Sequence, residues 1–442
     1  MSTVVPAIIV GGSAYGITYL VTGGELPIAR TVGALTAGAV LVLGKYSVNL
    51  LPTLTHRIRL PKYTQLKKNH KAVVDQAWEE FGMPPMGPVA VVLVDWKLNA
   101  GFWCALREIV LAEGVLSRTV REAILQGVSE SNECSFCAKS HKSLRRSGLM
   151  LNTDPATKLE AEAAYQWGKA LRDPKALAAL PELYEDPRKK REAIAVGLLF
   201  HFTNKIVDVF VTEMPHNKLP RSLSATVDVI MEATMLKGLM KRKPVKPGLS
   251  FPLLPVPEAR PTAADTRLNP RECSMMVTSD DEDEYDPEDP RANPDQLPQI
   301  LVDLLGLTAG QVPFSGEGPL DTSAFGRYTA PYEALFSCVF NEAQTLFSAK
   351  AWRRMRREYD AWNGESRGLK SWVKKAEEGL SEDDRAILRL GLLGGMAATQ
   401  VTDAEVAAVT KTRGDRAAVF AVATGALLSV LRVADIIKRN AK

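Results

Sequence analysis

The sequence predicts an all-α fold. From Tyr63 onward apolar residues recur at helical spacing, and the breaks between runs fall at Gly and Pro, as at Gly82 to Pro88, Gly148, Pro174 and Pro187. The same patterning resumes in the C-terminal part over Tyr328–Phe347, Ala351–Trp362, Leu369–Glu378 and Ser381–Leu393, and it ends in a long helix from about Asp415 to Ile437. With 442 residues there is chain enough for two ordinary domains and linkers, and a net charge of +4 over 55 basic and 51 acidic side chains gives no sign of a nucleic-acid binder.

The first element is an apolar hairpin over residues 1–55. Met1 to Gly24 carries no charged side chain, and Thr31 to Thr55 carries only Lys45. Each stretch approaches the length of a membrane span. The turn Glu25 to Arg30 is short, and Arg57, Arg59, Lys62, Lys67, Lys68 and Lys71 follow the second stretch. The positive-inside rule then gives a membrane anchor with the rest of the chain in the cytoplasm. Lys45 opposes this, costing about 2.5–3.5 kcal/mol at a bilayer centre unless it snorkels. The competing reading is a soluble cytoplasmic protein in which two apolar helices pack inside an oligomer.

A helical domain is expected over 63–241. The run Val89 to Val94 would pass for a buried strand, but it continues without a turn signal into Asp95 to Leu111 and is read as helix. A linker follows over 242–299. Prolines recur from Pro244 to Pro270, and Asp280 to Asp289 holds eight acidic side chains in ten residues, too polar to offset its ordering entropy. It lacks calcium-loop spacing and is read as a partly disordered tether. The second helical domain, 300–442, echoes the first. Glu113-Gly-Val-Leu-Ser117 and Glu378-Gly-Leu-Ser381 each head a helix, and Ala193–Phe210 pairs without gaps with Phe420–Ile437. A degenerate internal duplication is expected.

The chemistry is expected at one place. Of five cysteines, Cys104, Cys134, Cys137, Cys273 and Cys338, only Cys134 and Cys137 are closely spaced, which is not a secreted disulfide framework. Ser117 begins one helix, and Ser131 and Asn132, good N-cap residues, signal the next. Steps of three and four put Cys134, Cys137 and His141 on one helical face. Unpaired N–H groups at a helix start favour a thiolate, and the thiol pKa of about 8.5 falls in such CxxC settings. His141 can accept or return a proton, and a helical turn-back would bring Glu122 over the pair as a proton acceptor.

Glu122, eleven intervening residues, Cys134-Ser-Phe-Cys137, three more and His141 resemble the signature of the alkylhydroperoxidase D and carboxymuconolactone decarboxylase superfamily. The resemblance covers about Tyr63 to Phe210 and reaches the second half only weakly. It implies two tandem helical bundles of that type, the second degenerate, assembled as a homo-oligomer. It also implies that Cys137 is the peroxidatic cysteine, Cys134 the resolving one, and Glu122 with His141 a proton relay. A small hydroperoxide would be the substrate, a dithiol protein the reductant, and no cofactor would be needed. In the second half Ala398, Val401, Glu405 and Ala386 stand where Cys134, Cys137, His141 and Glu122 would be, so that half cannot do thiol chemistry.

Rival readings stay open. The decarboxylase branch generally lacks the paired cysteines, yet Glu122 and His141 could serve a cofactor-free decarboxylase or isomerase. A membrane-bound scaffold whose dithiol senses oxidation is the alternative outside enzymology. A zinc site would need a second close Cys or His pair, and none is present, so no metal is expected. His201 and Asn204 are candidates to line a substrate pocket, with a satisfied core histidine at 201 as the commoner alternative. Cys104 and Cys338 sit in apolar runs and are read as core, and Arg353, Arg354, Arg356 and Arg357 as a solvated or partner-facing basic patch.

Overall fold

Acidic and hydroxyl N-caps divide the chain. Asp154, Asp173 and Asp186 each precede a proline and accept backbone N–H groups of the turn they open, which starts helices at Pro155, Pro174 and Pro187. The carboxylate satisfies orphan donors, and proline at the first position loses no helical bond. Asp95, Ser117, Ser348 and Ser381 cap four further helices in the same way.

The computed structural model describes residues 55–81, 87–152, 154–211, 240, 245–255, 299–305, 326–368 and 370–440. Within them lie α1 (Lys68–Phe81), α2 (Pro88–Val91), α3 (Trp96–Ala105), α4 (Arg118–Ser131), α5 (Ser135–Leu151), α6 (Pro155–Ala170), α7 (Pro174–Ala179) and α8 (Pro187–Phe210). The second half adds α9 (Gln299–Leu305), α10 (Gly326–Leu346), α11 (Ala349–Ala361), α12 (Ser371–Ala376), α13 (Glu382–Met396) and α14 (Asp403–Asn440). No strand occurs among the described residues, only two isolated bridges, Thr55 with Val211 and Ala112 with Val245. The fold is all-α, as the periodicity requires. Val89–Val94 is helical, α2 running into a 3-10 turn at Val92–Val94. The long C-terminal helix starts where expected, because Gly414 (φ 83°) turns α14 immediately before Asp415.

α8 and α14 pack against each other at the centre, with α4 against α8 and α13 against α14. One continuous apolar core runs from Ile58 to Ile437, so both halves share it, and Trp103, Trp352 and Trp362 are among its largest wholly buried side chains. α8 and α14 are long and apolar enough to cross a membrane, but their apolar windows are 94% and 89% buried inside the protein, as expected of core helices. The apolar hairpin before Thr55 and the acidic run of the tether lie outside the described residues. The described part of the proline-rich stretch, 245–255, is fixed to the first half. Gly248 N–H and the Ser250 hydroxyl donate to the Glu108 carboxylate at 2.8 and 2.6 Å, and Phe251 and Leu254 pack with Cys104 and Ala330. Cys338 is only partly buried.

Helices α4 and α6 cross at Gly127 and Gly168. A Cβ at Gly127 would lie 2.2 Å from the Tyr165 carbonyl oxygen, and one at Gly168 would lie 2.7 Å from that of Ile124. The obstacle is backbone, so the crossing cannot relax by a rotamer change. Gly127→Ala is expected to lower stability by about 1–3 kcal/mol, at the upper end of that overpacking range. Gly368→Ala, where a Cβ meets nothing within 4 Å, should stay within about 0.5 kcal/mol. Urea unfolding of both variants checks this, and equal stability of the two would refute the crossing.

Candidate functional site

The site forms where α4 meets α5. Ser117 caps α4 by accepting from Val120 N–H at 3.3 Å, which fixes the first turn and the Arg118 within it. Arg118 donates to Glu122 one turn on, Nε to Oε1 at 2.7 Å, and its Nη1 is tied to the Val110 carbonyl at 3.1 Å. Glu122 has 0% exposure, and its other oxygen, Oε2, meets His141 Nδ1 of α5 at 2.6 Å. The expected turn-back would bring Glu122 over the cysteine pair; the contacts its carboxylate makes are to Arg118 and His141. Burial alone would raise the Glu122 carboxyl, but Arg118 and then His141 outweigh it and hold the carboxyl below its ordinary value. Phe200 of α8 packs edge-on against the imidazole, centroids 4.6 Å apart, leaving the ring little freedom.

The caps expected at Ser131 and Asn132 are not used. α4 continues through Ser131, Asn132 ends it by donating its N–H to the Val128 carbonyl, and Glu133 turns into the left-handed region at φ 64°. Cys134 N–H then reaches back to the Ser129 carbonyl at 2.9 Å, and Cys134 itself becomes the N-cap of α5. A left-handed non-glycine residue is uncommon and has to be held by its surroundings. Glu133 Oε1 accepts from the Ser366 hydroxyl at 2.8 Å, and Ser366 in turn accepts from Arg172 Nη2 at 2.6 Å, so a loop of the second half closes over the turn.

Cys134 is wholly buried and Cys137 is 4% exposed, and both thiols are free. As the third residue of α5, Cys137 sits among first-turn N–H groups that no Cys134 side-chain bond takes up. Burial pushes the Cys134 thiol well above its ordinary value, and the neighbouring Cys137 and then Asp208 push it further. The four residues singled out from sequence thus fall into two touching pairs, Glu122 with His141 and Cys134 with Cys137.

Behind them α8 carries polar groups that sequence reasoning used only in part. His201 and Asn204 are buried in a hydrogen-bonded network that engages His201 through Nδ1 and leaves its Nε2 buried with no partner among the described residues. Asn132 Nδ2 donates to Asn204 Oδ1 at 3.0 Å and lies 3.1 Å from His201 Nδ1, while Asn204 Nδ2 donates to Ser129 Oγ at 3.1 Å. One and two turns on stand Lys205 and Asp208, neither singled out from sequence. Arg118 was missed as well, although its i, i+4 spacing to Glu122 signals a pair. Among the described residues no group of three metal-ligating side chains occurs. An apolar cleft lined by Trp167, Leu180, Tyr184 and Ile437 includes none of the thiol-site residues.

The chain is 25% identical over 373 residues to an alkyl hydroperoxide reductase of Mycobacterium tuberculosis (strain ATCC 25618 / H37Rv), a match covering 82% of this chain and 88% of that protein. No family model and no solved structure matches it. The likeness is a distant one.

Removing Arg118 would leave a buried carboxylate with His141 as its remaining partner. Arg118→Met is expected to cost about 3 kcal/mol, the scale of breaking a buried pair from one side. Because the Glu122 carboxyl is depressed on folding, its contribution is fully present above the ordinary 4.5 and is lost as pH falls through the lower folded value. Glu122→Gln should therefore flatten the acid limb of a stability–pH curve measured by urea unfolding. An acid limb unchanged in Glu122→Gln would refute the clamp.

Proposed function

We propose that this chain is a thiol-dependent peroxidase-type oxidoreductase that reduces hydroperoxides through Cys134 and Cys137, with Glu122 and His141 handling protons. One observation carries the reading: a free dithiol at the start of α5 has, one turn along the same helix, a histidine hydrogen-bonded at 2.6 Å to a buried carboxylate. The distant alkyl hydroperoxide reductase relative supports the same chemistry.

In this reading the Cys137 thiolate attacks the hydroperoxide, the O–O bond breaks, and Cys137 becomes a sulfenic acid. His141, as imidazolium, gives its proton to the leaving alkoxide, so the substrate departs as an alcohol. Glu122, kept ionised by Arg118, fixes the imidazole through Nδ1. Cys134 then condenses with the sulfenic acid to give a disulfide and water, and a partner dithiol protein reduces the disulfide by exchange. Cys134 suits the resolving role because its burial keeps it protonated until an adjacent electrophile appears.

The expected outcome is catalytic consumption of an organic hydroperoxide with dithiothreitol as reductant. Cys137→Ser should abolish it, and Cys134→Ser should leave a Cys137 sulfenic acid that dimedone traps. His141→Gln should lower the rate by about 10²–10⁴-fold, the usual contribution of a positioned acid–base group. Absence of consumption and of a Cys134–Cys137 disulfide in the wild type would overturn the reading.

A further inference from the structure

Lys205 and Asp208 are costly where they stand. Both lie on α8, whose residues 206, 207, 209 and 210 are buried apolar side chains of the core. Lys205 is 2% exposed, and Asp208 Oδ2 is shielded from solvent with no hydrogen-bond partner among the described residues. A charge buried this way is retained against several kcal/mol of desolvation. Neither residue is needed for the polar network that fixes the helix, since His201 and Asn204 already supply it.

Their position explains the retention. Residues 201, 204, 205 and 208 are related by helical steps of three and four and share one face of α8. That face packs on the α4–α5 junction, where His201 and Asn204 engage Asn132 and Ser129. Further along the same face Asp208 and Lys205 come near enough to the Cys134 thiol for their charges to act on it. The other charged groups around them are Arg172 from the end of α6 and Glu133 from the left-handed turn, with Cys137 beyond Cys134.

We propose that Asp208, supported by Lys205, is a second proton-handling site serving Cys134, and that it drives closure of the Cys134–Cys137 disulfide. The proposal rests on the peroxidase reading for its reaction and on the α8 face for its geometry. In the closure step the S–H bond of Cys134 and the S–O bond of the Cys137 sulfenic acid break as the S–S bond forms. The Cys134 sulfur is oxidised and the sulfenic sulfur reduced. The Cys134 proton goes to the Asp208 carboxylate, and the departing hydroxide takes a proton from His141, which has been reprotonated from solvent after the alcohol left, and leaves as water. Lys205 offsets the negative charge that builds on Cys134. Both acid–base groups then reset through solvent.

The electrostatics suit these roles. Burial holds Cys134 as a thiol, so it needs a base to react. Burial pushes the Asp208 carboxyl up to about 6 despite the opposing pull of Lys205, which makes it a usable base near neutral pH. Burial, and then Arg172, brings Lys205 down to about 8. Two relays on opposite helices would thus divide the cycle. Glu122–His141 serves the oxygen leaving groups, and Asp208–Lys205 serves the resolving thiol.

Rapid-quench reaction of the full chain with an organic hydroperoxide, with dimedone trapping and mass spectrometry, tests this. Wild-type closure should quicken as pH rises through about 6, because Asp208 accepts a proton only when ionised. Asp208→Asn should accumulate Cys137 sulfenic acid, close about 100-fold more slowly and lose that inflection, and Asp208→Glu should recover part of the rate. Closure of Asp208→Asn at the wild-type rate would overturn the proposal. A second arm needs no peroxide: in a Cys137→Ser background, the ¹³Cβ resonance of Cys134 is followed against pH. Asp208→Asn should move thiol ionisation to lower pH by removing a neighbouring negative charge, and Lys205→Met should move it to higher pH. A general loss of packing would not give opposite shifts. If neither variant moves the titration, the pair does not serve Cys134. If the wild type forms neither sulfenic acid nor disulfide, it is the peroxidase reading that fails, and the titration still judges the pair.

Discussion

A carboxylate with no exposure to solvent must be held by charge, and Glu122 is held from two helices at once. Arg118 grips one oxygen from within α4, and His141 grips the other from α5. Desolvation works against ionisation there, so the carboxylate persists only while both partners stay in place. This fixes the register of α5 against α4, and with it the distance along α5 at which Cys137 stands from His141. The rest of the site hangs on that register. The left-handed turn at Glu133, the N-cap position of Cys134 and the first-turn placement of Cys137 all lie between the two residues that the clamp joins.

The clamp also orders the chemistry. A carboxylate already engaged by a guanidinium is a weak proton acceptor, so its effect on the thiols passes through the imidazole it orients. That ring stands one turn from Cys137 on the same helix. The buried side of the junction is where α8 supplies Asp208 and Lys205. A buried thiol such as Cys134 is also shielded from adventitious oxidants, since thiolate character and exposure together set susceptibility.

What was legible in the sequence was local. Ser117, Glu122, Cys134, Cys137 and His141 sit within one helix–turn–helix, where caps and i, i+3 or i, i+4 steps determine who meets whom. Helix positions were legible for the same reason, down to the start of the last helix after Gly414. The turn itself was not, because Glu133 carries none of the Gly or Asn signal that a left-handed residue normally leaves. Asp208 and Lys205 were hidden differently. They lie some seventy residues from the thiols, in a helix whose surroundings read as apolar, and only tertiary packing brings them to Cys134. The shared core was equally illegible, since no local pattern says that Ile58 and Ile437 belong to one cluster.

The second half, which has no CxxC pair, still reaches the site. Its loop after Trp362 brings Gly364 against Arg172, so close that a Cβ there would lie 1.7 Å from the Arg172 carbonyl oxygen, and Gly364 itself is left-handed at φ 86°. Only glycine fits such a contact. The approach delivers Ser366 to Arg172 and Glu133 together, and Glu133 is the strained residue whose conformation sets where the Cys134 backbone lies. Arg172 is also the like charge that acts most strongly against the charged form of Lys205. A half that lacks the CxxC pair therefore bears on both the shape of the turn and the field around Cys134, and that is a physical reason for the chain to keep it.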